Sequence, residues 1–249
     1  MNLGLADKGV FVVGATGGIG RAIVNRFLEE SARVVVGGRS PAKLAEVFSS
    51  VDERLSGKVE IDLRDDASIA AAAERAAEML GDVDVLVCSA AGDVKYGGVW
   101  GVDRLDWESE FGVKCVGTSR ICSTIAQGMI SRGTGAIVNV IGINTDMTVV
   151  SNPVGTAVNS GLRGFTRVLA AELAPSGVRV VGISPGMTNG SRLDKFAGTM
   201  LEEIRASIPL RQIGEPEEIA DVVVFAASAR ASYLTGEIIN VDGGLTLVR

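Results

Sequence analysis

The feature that most constrains this chain lies in its first thirty residues. The apolar run Val10–Val13 leads directly into Gly14-Ala15-Thr16-Gly17-Gly18-Ile19-Gly20. A short apolar run bounded by glycine reads as a buried strand. From Gly18 to Glu30, Ile19, Ala22, Ile23 and Phe27 share one helical face. Glycines at such a strand-to-helix turn let backbone N–H groups approach a pyrophosphate, and the helix N-terminus adds partial positive charge. Strand, glycine turn and helix in this order open a doubly wound sheet that takes a dinucleotide across its strand ends.

The remaining chain repeats the alternation. Arg33–Val36, Lys58–Ile61, Val83–Cys88, Ala136–Ile141, Arg179–Ile183 and Ile238–Val241 read as further strands. Helical stretches lie between them: Pro41–Ser50, Asp65–Leu80, one long helix from Arg104 to Arg132, Pro153–Ala174, Arg192–Ser207 and Glu215–Ser228. Strands apolar on both faces and separated by helices imply a parallel sheet covered on both sides. The expected fold is a Rossmann-type α/β domain with a seven-stranded sheet, and no linker or repeat divides residues 1–249.

Composition narrows the function. The 24 Lys and Arg are scattered and the net charge is -6, so no cationic surface for nucleic acid or an anionic membrane is expected. There is no His, which removes imidazole chemistry and most zinc sites, and no metal site is expected. Cys88, Cys115 and Cys122 sit in apolar segments without ligand spacing and read as reduced, buried thiols. No apolar run reaches the roughly 18 residues that span a bilayer. The N-terminus has no basic stretch followed by an apolar one, so a cytoplasmic protein is expected.

The second strand ends in Gly37-Gly38-Arg39-Ser40. An Asp or Glu about twenty residues past the glycines would bond a ribose 2′-hydroxyl and favour NAD(H). Gly38 stands there instead, and the Arg39 guanidinium suits a 2′-phosphate, so NADP(H) is expected over NAD(H).

Further motifs carry a resemblance along essentially the whole chain. They are Gly14-x-x-x-Gly18-Ile19-Gly20, Asp62-Leu63, Cys88-Ser89-Ala90-Ala91-Gly92, Ser184-Pro185-Gly186-Met187-Thr188, Gly214-Glu215-Pro216-Glu217-Glu218-Ile219-Ala220 and Asn240-Val241-Asp242-Gly243-Gly244. Together they resemble the short-chain dehydrogenase/reductase family. The resemblance implies that Gly14, Thr16, Gly17, Gly18, Ile19 and Gly20 hold the pyrophosphate and that Asp62 and Leu63 meet the adenine. It also places Ser89, Ala90 and Ala91 on the cofactor turn after the fourth strand, and Pro185, Gly186 and Thr188 beside the nicotinamide.

The family's chemistry uses a tyrosine, a lysine four residues later, a serine before the tyrosine and an asparagine on the long helix. Aligned through its flanks, this chain has Gly155 in the tyrosine place, Asn159 in the lysine place, Gly142 in the serine place and Lys114 in the asparagine place. Tyr96 and Tyr233 are the only tyrosines, followed four residues on by Trp100 and Glu237, so no register restores the pair.

Three functions stay open. The first is an NADP(H)-dependent oxidoreductase with non-standard proton chemistry on a small carbonyl, alcohol or activated alkene. Its acting residues would be Lys114 and Asn159, with Asn144, Asp146, Ser151 and Thr156 flanking the substrate. The turn from Ser89 to Asp93 is similar to that of dienoyl-CoA reductases, which is the ground for the alkene. The second is a catalytically inactive nucleotide-binding, scaffold or sensor protein, and the third a non-redox enzyme reusing the pocket. Residues 188–207 read as a substrate lid, whose Leu193, Phe196, Met200 and Leu201, with Met187 just before it, imply a partly apolar small molecule or a cover for the chain's own core. The resemblance implies a homo-oligomer, a tetramer or dimer, and Gly117, Gly128, Gly161, Gly164, Ala226 and Ala227 are candidates for its close helix packing.

Overall fold

A computed structural model describes residues 2–92, 95–190, 193 and 198–248, with Asn144 described by its backbone alone. Seven parallel strands form one sheet: β1 (Gly9–Val13), β2 (Arg33–Gly38), β3 (Gly57–Glu60), β4 (Val85–Cys88), β5 (Gly135–Val140), β6 (Val178–Pro185) and β7 (Ile238–Val241). Their order is β3-β2-β1-β4-β5-β6-β7. The order reverses between β1 and β4, and the crevice at such a switch point is where doubly wound sheets bind ligands.

Alternate residues of each strand feed opposite layers. Val10 and Val12 pack with α1 (Gly18–Glu29), α2 (Pro41–Val47) and, further along the sheet, α8 (Pro216–Ala227). Phe11 and Val13 pack in the layer formed with α3 (Asp66–Leu80), α5 (Thr118–Arg132) and α6 (Pro153–Leu173). Burying a side chain of this size contributes about 1.5–3 kcal/mol, and every residue of β1 is buried. No helix among the described residues is long and apolar enough to cross a membrane.

Several boundaries move from the sequence expectation. Strand β6 runs on to Pro185 because Ser184 and Pro185 pair with Asn240 and Val241. Helix α2 ends at Val47, and Ser49–Arg54 forms a 3₁₀ turn. Of the expected 192–207 helix, the described part is α7 (Thr199–Ser207).

The largest correction concerns the long helix. It divides into α4 (Arg104–Phe111), a π-helical turn (Gly112–Gly117) and α5. Glycines bound that turn, and Gly117 lies so close to Leu63 that an added Cβ would stand 2.5 Å from the Leu63 Cβ. Gly117 is therefore packed within the subunit, as are Ala226 and Ala227, which removes these three from an intersubunit face. Gly128, Gly161 and Gly164 remain exposed.

Candidate functional site

The turns after β1 and β4 meet at the switch point. Gly14 has φ +80°, and a Cβ there would lie 2.6 Å from the Ala90 Cα. Only glycine lets the two turns touch in this conformation. Above them Gly17 and Gly18 are exposed, and a Cβ on either would meet nothing nearer than 3.8 Å and 4.0 Å. The α1 N-cap is Gly17, which offers no side-chain hydrogen bond. The first-turn N–H groups of a helix need acceptors from outside it, so bare amides beside open space form a cradle that fits a pyrophosphate.

The residues expected at the adenosine end collect at the tips of β2 and β3. A Cβ on Gly38 would come within 3.5 Å of the Thr16 Cγ2. Arg39 is exposed, and its charge reaches Asp62. The Arg64 guanidinium donates to both Asp62 oxygens at 3.0 and 2.6 Å. Those bonds, led by the side-chain pairing with Arg64, hold the Asp62 carboxyl at about 2. Leu63 is buried against Gly117. On the other wall, Gly186 N–H donates to the Val241 carbonyl and Thr188 Oγ1 to the Gly186 carbonyl. The Pro185-Gly186 loop is thus fastened to the Asn240–Gly244 motif, and Pro216 at the start of α8 reaches Gly18.

The four positions expected to hold the acid–base set converge, but around different side chains. Lys114, only 8% exposed, extends from the π turn and donates to the Ile141 carbonyl at the end of β5. The next residue, Gly142, has φ +134°, and a Cβ there would stand 2.8 Å from Asn159 Nδ2. Asn159 is buried, and its Oδ1 has no hydrogen-bond partner among the described residues. Lys114 and Asn159 therefore approach the same Ile141–Gly142 segment from two helices. Gly155 lies in the first turn of α6, where its N–H donates to Asn152 Oδ1 at 3.0 Å. Asn152 is the α6 N-cap and is buried. A Cβ on Gly155 would fall 2.5 Å from Asn152 Nδ2. Both glycine places are closed by asparagine carboxamides.

The other residues expected beside the substrate make contacts within the chain. Arg163 donates to Asp146 Oδ1, and Asn240 Nδ2 donates to its Oδ2 at 3.3 Å, so Asp146 fastens its loop to α6 and β7. Thr156 Oγ1 donates to the Asn152 carbonyl, and the exposed Ser151 accepts Gly97 N–H through its carbonyl. The Asn144 side chain and Phe196 lie outside the described residues, as do 191–192 and 194–197 of the lid. Leu193 is buried with Ile143, Met147, Ile208, Ile213 and Leu245, and Met187 and Leu201 pack against them, so these lid residues cover the chain's own core. Met200 is exposed. Cys88 and Cys122 are buried, with Sγ atoms 3.9 Å apart, whereas Cys115 is half-buried and donates to the Val158 carbonyl.

Sequence reasoning missed two residues. Asn152 was visible as an N-cap residue before Pro153. Glu110, 2% exposed, lies four residues before Lys114, a spacing that puts both on one helix face.

Comparison with known proteins agrees with this architecture. Residues 14–246 match the family model described as enoyl-(acyl carrier protein) reductase. The chain is 32% identical to the 3-oxoacyl-[acyl-carrier-protein] reductase FabG of Aquifex aeolicus, over 98% of this chain and 100% of the relative. It is 30% identical to the 2,3-dihydro-2,3-dihydroxybenzoate dehydrogenase of Bacillus subtilis, over 98% of each. Among solved structures, L-sorbose reductase from Gluconobacter frateurii, complexed with NADPH and L-sorbose, superposes with a TM-score of 0.91 at 26% identity, covering 100% of both chains.

Proposed function

Because the chain belongs to the short-chain dehydrogenase/reductase family of oxidoreductases, we propose that it binds NADP(H) across the β1–β4 crevice and acts on a small carbonyl, alcohol or activated alkene, with Lys114 as the group that meets the substrate oxygen. One observation carries this reading: a buried ammonium-bearing side chain reaches the β5 end, next to Gly142 and Asn159. Hydride transfer at carbon needs a proton or a strong donor at oxygen, and an ammonium in a water-poor site supplies one. When bound, the nicotinamide would supply or accept the hydride.

In this reading the residues divide the work. The turn Gly14, Thr16, Gly17, Gly18, Ile19 and Gly20 and the N-terminus of α1 hold the pyrophosphate. Arg39 pairs with the 2′-phosphate, while Asp62 and Leu63 border the adenine. Ser89, Ala90 and Ala91 line the crevice from the β4 side, and Pro185, Gly186 and Thr188 line it from the β6 side. Asn159 Oδ1, a buried acceptor lacking a donor among the described residues, takes a ribose hydroxyl. Two or four copies assemble through the α4–α6 side, where Leu105, Val116 and Val168 are exposed.

A second reading is nucleotide binding without turnover. The carboxamides that close the Gly142 and Gly155 places favour it. One experiment separates the two. The protein is titrated with NADPH by fluorescence, then mixed with NADPH and a panel of ketones, aldehydes and enones while absorbance is followed. Turnover lost in Lys114→Ala but kept in Tyr96→Phe supports the oxidoreductase. Tight binding with no turnover across the panel supports the second reading, and turnover without nucleotide indicates a non-redox enzyme.

A further inference from the structure

The Glu110 carboxyl is among the most buried polar groups of the chain, at 2% exposure, and Lys114 follows one turn later at 8%. Burying either charge alone costs far more than burying both together. A π turn begins between them at Gly112, and such turns, mostly single-turn bulges inside α-helices, are frequent at functional sites. Both charges act on the half-buried Cys115 thiol. Burial raises that thiol, the Lys114 charge lowers it and the Glu110 charge raises it. The two side chains also touch different walls of the crevice. A Cβ on Gly92, in the turn after β4, would stand 3.0 Å from Glu110 Oε1, while Lys114 donates to the Ile141 carbonyl at the end of β5.

We infer that Glu110 and Lys114 form one buried carboxylate–ammonium couple spanning the crevice from the β4 turn to the β5 end, in which Glu110 is the positioning residue that keeps Lys114 charged and aimed. Among the described residues, the fold places around the Lys114 ammonium the Ile141 carbonyl just past β5 and, beside Gly142, the Asn159 carboxamide from α6, with the Glu110 carboxylate and the Cys115 thiol on its own helix. Glu110 is the one anionic group among these. The couple delivers an ammonium to the substrate oxygen without net charge in the core. A neutral amine there would accept a hydrogen bond from an alcohol but could not protonate an alkoxide or enolate.

The inference rests on the proposed role of Lys114, but its test reads charge and needs no turnover, so the two can fail separately. The full-length protein is labelled with ¹⁵N-lysine, and the Lys114 Nζ resonance is assigned by its loss in Lys114→Met. The wild type should show an ammonium at neutral pH. Glu110→Gln should lower the midpoint of its deprotonation by about 1–3 units, and Glu110→Asp should restore most of that shift. A neutral amine in the wild type, or a midpoint unchanged in Glu110→Gln, overturns the inference. Should Glu110→Gln not fold, thermal unfolding decides. Glu110→Leu with Lys114→Met should melt higher than either single variant, and additive losses overturn the couple.

Discussion

Gly155→Ala tests the packing at the position expected for the family's tyrosine. An alanine in a helix is favoured over glycine by up to about 1 kcal/mol, so on propensity alone the variant should be more stable. The structure reverses that sign. The new Cβ would stand 2.5 Å from Asn152 Nδ2 and 2.6 Å from its Oδ1, so the carboxamide must swing away. The N-cap bond from Gly155 N–H is then lost, at about 1 kcal/mol. Asn152 is 5% exposed, so its displaced carboxamide also loses its partner in a buried setting, costing about 1–3 kcal/mol. The net expectation is a loss of about 1–3 kcal/mol. In an Asn152→Gly background the obstruction is gone, and Gly155→Ala should become neutral or stabilising by up to about 1 kcal/mol. Equilibrium urea unfolding of all four proteins at one concentration, followed by circular dichroism, measures this cycle. A wild-type background in which Gly155→Ala stabilises, or effects that add within about 0.5 kcal/mol, would refute the reasoning. If it stands, a tyrosine cannot be introduced at 155 without also removing Asn152.

Arg39→Ala should weaken NADPH by about 1.5–3 kcal/mol, the worth of a charge-assisted contact, and leave NADH nearly unchanged; equal losses in fluorescence titrations would defeat the NADP(H) assignment. Gly14→Ala should abolish NADPH binding, since φ +80° and the Ala90 backbone 2.6 Å away leave no room for a Cβ, and micromolar binding in the same titration would contradict the crevice geometry. Asp62 is held at about 2, below the ordinary 3.8. A depressed carboxyl stabilises the fold above the ordinary value and loses that contribution as pH falls through the folded one. In Arg64→Ala the Asp62 titration, read by carboxyl NMR, should move up toward 3.8, and the part of the acid loss between 3.8 and about 2 that Asp62 supplies should disappear. An unmoved titration would show that Arg64 is not its cause.

The sequence alone determined the alternation of strands and helices, because apolar runs, helical periodicity and turn glycines are local signals. All seven strands are present near their expected positions. The glycine turn was legible for the same reason: strand, turn and helix are contiguous in the chain. The absence of any Tyr-x-x-x-Lys pair is likewise a property of the sequence in every register. Tertiary structure decided what no local window contains. Strand ends follow from their pairing partners, as Pro185 against Val241 shows. The π turn at Gly112–Gly117 has no periodic signature in a stretch that reads as one helix. Asp146 reads as a polar loop residue until the fold brings Arg163 and Asn240 to it. Above all, only packing brings Lys114 to the Ile141 carbonyl and Asn159 against Gly142. These groups lie on separate elements, and burial decides which of their charges must be paired.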